Sequence, residues 1–127
     1  MRILVTGASG FIGRHLVDRL AQRADVRLRV TLRRPEAAGP FEARGIETVL
    51  GDLTHDATVR AAVADVDQIV HAAGATRAAD PTLLQRVNEG ATGRLAAAAR
   101  EAGEVRLLLL SSLAARGPDR RAGDGDA

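Results

Sequence analysis

Residues 3–13 read Ile-Leu-Val-Thr-Gly-Ala-Ser-Gly-Phe-Ile-Gly, and this stretch decides the fold. Its apolar start is typical of a buried strand. The apolar residues that follow recur at the spacing of one helix face: Phe11, Ile12, Leu16, Val17 and Leu20. The glycines between them are spaced Gly-x-x-Gly-x-x-Gly, one residue longer than the commonest dinucleotide fingerprint. Strand, glycine-rich turn and helix start together predict a seat for the pyrophosphate of a dinucleotide, not an ordinary flexible turn.

Each glycine of this turn has a separate predicted role. Gly7 permits the tight turn, Gly10 lets the backbone approach the phosphates, and Gly13 lets the helix pack close to the sheet. The helix start adds unpaired N–H groups and the positive end of the helix dipole. We therefore predict cofactor contacts at six positions: Gly7, Ser9, Gly10, Phe11, Ile12 and Gly13.

The composition indicates one domain with an aliphatic core, because the 127 residues include two Phe and no Trp or Tyr. Cysteine is absent, which excludes disulfides, thiol nucleophiles and cysteine-ligated metals, so we expect no metal site. The first strand starts directly after Met1, and no apolar run reaches the roughly 20 residues of a membrane span. We expect no signal peptide, no membrane partner and a cytoplasmic location.

The charge pattern argues against a nucleic-acid partner despite a pI of about 10.8. All 18 basic residues are Arg, so the net charge of +2 persists to high pH. They are scattered among 16 acids, without the interleaved aromatic residues that stack on bases.

Strand and helix signals alternate along the whole chain. Strands are predicted at Arg2–Thr6, Val26–Leu32, Glu47–Leu50, Gln68–His71 and Val105–Leu110. Helices are predicted from Phe11 to about Arg23, near Asp56–Ala64 with Thr54 as cap, and from Pro81 to a stop at Gly103 with Asp80 as cap. Residues 33–45 hold Arg-Arg-Pro and Gly-Pro, which predicts a loop with at most a short helix.

This alternation predicts an α/β fold, a Rossmann-like doubly wound parallel sheet of about five strands in the order 3-2-1-4-5. The long helix carries its apolar face at Leu84, Val87, Ala91, Leu95 and Ala98. We expect residues 1–117 to form an NAD(P)-binding domain and residues 118–127 a disordered tail.

Ligands of such sheets bind beyond the carboxyl ends of the strands. After the second strand, where an acidic residue would bind the adenosine ribose of NAD, this chain has Arg33-Arg34. A guanidinium can clamp the 2′-phosphate of NADP, so we favour NADP over NAD. The alternative is that the pair is solvated loop charge.

Further candidates follow the third and fourth strands. The Asp52 carboxylate can accept from the adenine amino group while Leu53 covers the ring; alternatively, Asp52 is only a turn or helix-entry residue. Ala72, Ala73 and Gly74 are small enough to let the cofactor pass close to the backbone. We interpret His71 as a buried core residue in preference to a general base.

The last candidates are polar residues near the nicotinamide side of the predicted cleft. Ser112 follows the fifth strand as a substrate-facing hydroxyl or as a structural residue. Asn88 lies in the long helix, where asparagine is poorly favoured, which indicates a polar role there.

These segments together resemble the extended short-chain dehydrogenase/reductase family, the NAD-dependent epimerase/dehydratase group, over residues 1 to about 117. The matching segments are Thr6–Gly13, Gly51–Leu53, His71–Gly74, Val87–Gly90 and Ser111–Ala114. The resemblance implies a Rossmann domain followed by a small substrate domain, and hydride transfer at a carbonyl or alcohol. It also implies that Ser112 polarises the substrate oxygen and that Asn88 lies near the proton relay.

The chain departs from the family at the acid/base. The resemblance implies a Tyr assisted by a Lys four residues on, some 25–35 residues beyond Ser112, yet the 127 residues contain neither type. We therefore expect the cofactor-binding portion of an oxidoreductase, truncated before the Tyr-Lys helix and substrate domain and inactive alone. A small-molecule substrate is then expected only in a complete enzyme.

Two alternatives remain: a stand-alone NADP(H)-binding regulatory module without catalysis, and a remnant that folds poorly.

An apolar strand at 105–110 on the sheet edge also predicts self-association.

Overall fold

The computed structural model describes residues 1–74 and 81–110, in which strands and helices alternate as predicted. The strands are β1 (Arg2–Thr6), β2 (Arg27–Leu32), β3 (Glu47–Leu50), β4 (Gln68–His71) and β5 (Arg106–Leu109). The α-helices are α1 (Phe11–Leu20), α2 (Gly39–Glu42), α3 (Asp56–Val63) and α4 (Pro81–Glu101). A short 3-10 turn covers Pro35–Ala37. The predicted cap Asp80, the pair Ser111-Ser112 and the predicted tail 118–127 lie outside the described residues.

Within the described residues the five strands form one parallel sheet in the order β3-β2-β1-β4-β5, which confirms the predicted topology. In this sheet β1 is central, and its neighbours are β2 on one side and β4 on the other. The first three strands therefore extend the sheet to one side of β1, and after β3 the chain crosses back to add β4 and β5 on the other side. The carboxyl ends of β1 and β4 meet at this switch point, where Thr6 pairs with His71.

The two faces of the sheet are covered by different helices, because successive strand residues point to opposite faces. Ile3 and Val5 pack on one side with Val17 of α1 and Phe41 of α2. Leu4 packs on the other side with Val59 of α3 and Leu95 of α4. The predicted apolar face of α4 is seen in the burial of Ala91 and Leu95, while the side chain of Leu84 lies outside the described part. The fold is thus doubly wound, as predicted.

Two predicted helix boundaries were wrong. Thr54 does not cap α3: His55 precedes the helix, and the Thr54 N–H instead donates to Asp52 Oδ1 at 2.9 Å. The first helix ends at Leu20 and not near Arg23, because the chain turns at Arg23–Val26 and the Arg23 guanidinium bonds the Asp25 carboxylate at 2.7 Å. β2 and β5 are shorter than predicted by one residue and two residues.

A buried guanidinium joins β2 to β3 and α3. The Arg29 side chain is only 11% exposed, and its Nε donates to Glu47 Oε2 at 2.7 Å. Its Nη1 donates to the carbonyls of Ala62 at 2.9 Å and Ala64 at 2.6 Å, at the end of α3. Arg29 therefore satisfies carbonyls that the helix itself leaves unpaired.

Among the helices that the structure describes, none is both long enough and apolar enough to cross a membrane.

Candidate functional site at the switch point

A cleft of about 240 Å³ opens at the carboxyl ends of the strands, where the switch point lies. Each of β1, β2, β3 and β4 contributes the residues that directly follow or end it, and α4 closes one side. The lining residues are Gly7, Ser9, Gly10, Thr31, Leu32, Arg33, Gly51, Asp52, Leu53, Ala72, Ala73, Gly74, Val87 and Ala91. Nine of the predicted cofactor residues are therefore brought together in one place.

Two glycines of the first turn are required by its geometry. Gly7 has φ +72°, and a Cβ there would lie 2.6 Å from Ala72 C and from Ala73 N. A Cβ on Gly13 would lie 2.6 Å from Gly7 C and 2.8 Å from Ala8 Cα. The start of α1 therefore packs closely against the turn that follows β1, at the carboxyl end of the sheet.

The start of α1 offers backbone donors to an anion. Gly10 is the N-cap, and its own N–H donates to the Gly7 carbonyl at 3.0 Å. The next N–H groups of the helix have no partner within the helix. The side chains of Phe11 and Ile12 are 81% and 58% exposed and do not line the cleft. Phe11 and Ile12 are therefore expected to contact the cofactor through their backbone N–H groups and not through their side chains.

The two consecutive arginines are placed differently. Arg33 lines the cleft, and in residues 1–74 and 81–110 its guanidinium has no hydrogen-bond or ion-pair partner. Arg34 precedes the 3-10 turn at Pro35–Ala37 and does not line the cleft. The structure thus brings one arginine of the predicted pair to the site.

Asp52 is both a turn residue and a wall of the cleft. Its Oδ1 accepts the Thr54 N–H, which holds the pKa of this carboxyl below its usual range, with a further contribution from the charge of Arg33. The predicted turn role is confirmed. Because an ionised carboxylate has two acceptor oxygens, the turn leaves capacity for a ligand.

His71 is buried, at 1% exposure, and both ring nitrogens are hydrogen-bonded. Nδ1 lies 2.6 Å from Thr6 Oγ1, and Nε2 lies 3.0 Å from Thr92 Oγ1. Burial lowers the pKa of His71 below 6.5, so the ring is neutral at neutral pH. The interpretation as a satisfied core residue is confirmed.

The predicted catalytic residues are only partly described. Asn88 lies on α4 beside the cleft, where its Oδ1 would be 3.4 Å from a Cβ on Gly74. Ser112 lies outside the described residues.

Sequence reasoning did not predict five of the lining residues as cofactor contacts: Thr31, Leu32, Gly51, Val87 and Ala91. The rule that ligands bind at strand ends could have found the first three, since they end β2 or follow β3. Val87 and Ala91 are four residues apart, on the predicted apolar face of α4. Across the described ranges, no three His, Asp or Glu side chains are grouped so that they could hold a metal ion.

The fold and the cleft define a Rossmann-like domain of the kind found in nicotinamide-dinucleotide-dependent enzymes. The NAD-dependent epimerase/dehydratase family model matches residues 3–127, and the chain therefore belongs to that family. This confirms the resemblance that the motifs indicated.

Individual relatives agree with the family assignment. The chain is similar to ceramide reductase from Caulobacter vibrioides, with 39% identity over 116 residues, 91% of this chain and 36% of that protein. It is similar to a 4-hydroxy-2-methyl-3-oxo-4-farnesyl-3,4-dihydroquinoline-1-oxide ketoreductase from Stigmatella aurantiaca, with 37% identity over 113 residues, 88% of this chain and 34% of that protein. The chain thus spans about a third of the length of these curated relatives.

A solved structure shows the same fold with a cofactor. It is a mutant uronate dehydrogenase from Agrobacterium tumefaciens complexed with NAD, with a TM-score of 0.72 and 37% identity. The match covers 87% of this chain and 40% of that chain.

Proposed function

We propose that this chain binds NADP in the cleft and forms the cofactor-binding part of an NAD(P)-dependent oxidoreductase of the epimerase/dehydratase family. The observation that supports the choice of NADP is the Arg33 guanidinium on the cleft wall after β2, which has no hydrogen-bond or ion-pair partner among the described residues. A guanidinium there can bind a 2′-phosphate through two charge-assisted hydrogen bonds. An acidic residue at this position would instead favour the free ribose hydroxyl of NAD.

The remaining cleft residues have roles along the length of the dinucleotide. In this proposal the turn Gly7–Gly13 holds the diphosphate through its backbone, and Ser9 adds a hydroxyl beside it. Asp52 accepts from the adenine amino group through the oxygen that the Thr54 turn does not use, and Leu53 covers the ring. The small segment 72–74 lets the cofactor backbone pass. Arg34, which does not line the cleft, is assigned no direct contact with the cofactor.

The catalytic assignments rest on the family resemblance. Ser112 is assigned to polarising the substrate oxygen, and Asn88 to a place near the proton relay. We further propose that residues 1–117 form the cofactor-binding domain and that proton transfer uses a Tyr-Lys pair, two residue types that these 127 residues do not contain.

Calorimetric titration of NADPH and NADH into the wild-type chain, Arg33→Gln and Arg34→Gln tests the cofactor assignment. Arg33→Gln is expected to raise the Kd for NADPH about tenfold, the usual worth of a charge-assisted hydrogen bond, and to leave NADH almost unchanged. Arg34→Gln is the matched control, with an expected change below about threefold because Arg34 does not line the cleft. Tighter binding of NADH than of NADPH by the wild type would refute the NADP assignment.

We keep as a second candidate an NADP(H)-responsive regulatory module without catalysis. The 127 residues include no Tyr and no Lys, the types that the resemblance assigns to proton transfer. The coding DNA beyond codon 127 separates the candidates: a continuing or frame-shifted Tyr-x-x-x-Lys segment supports the oxidoreductase portion, and a cleanly terminated gene favours the module.

A further inference from the structure

A chain of hydrogen bonds runs through the interior from the segment after β4, past β1, to α4. The Ala73 N–H donates to Thr6 Oγ1 at 3.2 Å, and Thr6 Oγ1 lies 2.6 Å from His71 Nδ1. On the other side of the ring, His71 Nε2 lies 3.0 Å from Thr92 Oγ1. The Thr92 hydroxyl donates to the Asn88 carbonyl at 2.7 Å.

The directions of these bonds follow from the number of hydrogens available. A threonine hydroxyl has one hydrogen to donate. Thr92 uses its hydrogen on the Asn88 carbonyl, so its oxygen accepts from His71 Nε2–H. Nδ1 of the neutral ring then accepts the Thr6 hydroxyl, whose oxygen accepts the Ala73 N–H.

The opposite tautomer leaves a buried donor without an acceptor. With the proton on Nδ1, Thr6 Oγ1 would accept from both His71 and Ala73. Thr6 has no exposed surface, and in the described part of the chain its hydroxyl has no acceptor other than the His71 ring. Leaving a buried donor unsatisfied is unfavourable, so the arrangement selects the Nε2–H tautomer.

We propose that His71, as the neutral Nε2–H tautomer, is a positioning residue that fixes the 72–74 wall of the cleft relative to α4. Both ends of the chain of bonds belong to cleft walls: Ala73 lines the cleft on one side, and Val87 and Ala91 of α4 line it next to Asn88. The Asn88 side chain also faces this wall, since its Oδ1 would lie 3.4 Å from a Cβ built on Gly74. Breaking the hydrogen bond at the Thr92 end of this chain is therefore expected to shift the 72–74 wall at the other end.

The consequence for function rests on the proposed dinucleotide binding. A wall held at one distance from the turn at Gly7 presents the cofactor with a preformed cleft, which avoids the cost of ordering that wall on binding. The residues that transmit this effect, His71 and Thr92, need not contact the cofactor.

Thr92→Val and Thr92→Ser form a matched pair for the test. Valine keeps the shape of threonine without an acceptor for Nε2–H, and serine keeps the hydroxyl; the helix propensities of all three are similar. Thr92→Val is expected to raise the Kd for NADPH about tenfold, and Thr92→Ser to leave it within about twofold of wild type. Equal affinity of wild type and Thr92→Val would overturn the proposal.

A second measurement on the ligand-free chain distinguishes this proposal from the binding proposal. Nitrogen-15 NMR of the His71 ring is expected to show the proton on Nε2 in the wild type and in Thr92→Ser. Hydrogen exchange at the Ala73 amide is expected to accelerate in Thr92→Val alone. A proton on Nδ1, or unchanged Ala73 exchange in Thr92→Val, refutes the coupling whether or not NADPH binds. If the ring and exchange results are as expected but the wild type binds neither NADPH nor NADH, the binding proposal fails and the coupling stands.

Discussion

The two sides of β1 build the cleft with opposite chemistry. On the side of β2 and β3 the wall is charged, with Arg33 and Asp52, and the buried tie is the Arg29 guanidinium. On the side of β4 the wall is the small, uncharged segment 72–74, and the buried tie is the neutral ring of His71 between two hydroxyls. The sheet thus presents a charged half and an uncharged half, and the proposed NADP site assigns the adenosine to the first and the rest of the dinucleotide to the second.

The outer strands of the described sheet differ in the same way. β3 carries Glu47 and Thr48, and the Thr48 hydroxyl donates to Glu42 of α2 at 2.8 Å. β5 pairs with β4, and the consecutive side chains Leu108, Leu109 and Leu110 are 54%, 49% and 38% exposed. Polar groups and cover protect a sheet edge from association, whereas an apolar edge promotes it.

The largest expected effect is at the turn that both halves share. Gly13→Val places a side chain against the backbone of Gly7 and Ala8, which cannot move without displacing the turn. We expect a loss of at least about 4 kcal/mol in the free energy of unfolding, together with loss of dinucleotide binding. Urea unfolding followed by circular dichroism measures the first effect.

Gly93→Ala in α4 is the control for that substitution. A Cβ on Gly93 meets nothing within 4 Å, so we expect an increase in stability of about 0.5–1 kcal/mol from the better helix propensity of alanine. If Gly13→Val and Gly93→Ala unfold at the same urea concentration, the described close approach at Gly13 is wrong.

Arg29→Ala tests how much the buried hydrogen bonds of the Arg29 guanidinium contribute to stability. The substitution leaves the Ala62 and Ala64 carbonyls without their donor and Glu47 without its closer cation, so we expect a loss of about 2 kcal/mol. The pKa of Glu47, which its bond to Arg29 holds below the usual range, is expected to rise. Arg27→Ala, at an exposed position of the same strand, should change stability by less than about 0.5 kcal/mol. An equal effect of the two substitutions would contradict the role of Arg29.

Much of this difference between the halves could be predicted from the sequence. The bounds of β1, β3 and β4 were predicted correctly, because each is a short run of strand-forming residues that a turn or loop follows within three residues. The sheet order follows from the handedness of parallel crossovers. The rule for ligands at strand ends located Arg33, Asp52 and the 72–74 segment.

The rest depends on contacts that sequence patterns do not show. Arg29 alternates with apolar residues and therefore looks like a solvent-facing strand position, but both faces of β2 are covered and the guanidinium is buried. Thr54 looks like a helix cap, yet α3 begins at Asp56 and the cap position falls one residue later, at His55. The partnership of His71 with Thr92 joins positions 21 residues apart and follows from packing alone.

The two halves should also respond to different pH ranges. Burial lowers the pKa of His71 in the folded chain, so below about pH 6.5 the unfolded chain binds a proton that the folded chain does not. The free energy of unfolding is therefore expected to fall as pH decreases through this window. The pKa of Asp52 is lowered in the folded chain, so Asp52 contributes to the free energy of unfolding down to about pH 3.8. This contribution is lost only as pH falls further.

Urea unfolding between about pH 7.5 and about pH 3 measures both responses. His15→Gln, at an exposed position, is the control and should keep the decline that begins near pH 6.5. A stability that does not change between about pH 7.5 and about pH 5 would show that His71 does not titrate as its burial requires.

The smallest expected effect on stability is at the β5 edge. We predict that the wild-type chain self-associates through β5 and that Leu108→Lys weakens this association, while the unfolding free energy of the monomer changes by less than about 0.5 kcal/mol. Leu50→Lys on β3, at a side chain of comparable exposure, should leave the association unchanged. Sedimentation velocity over a range of concentrations measures both. A wild-type chain that stays monomeric would contradict the prediction.

The central claim is that the turn at residues 7–13 holds the diphosphate of a dinucleotide. Amide NMR of the isotope-labelled chain during titration with NADPH tests it most directly. We predict saturable shifts concentrated at the amides of residues 7–13 and 72–74. A folded, cooperatively unfolding chain that shows no shifts with either NADPH or NADH would contradict the claim.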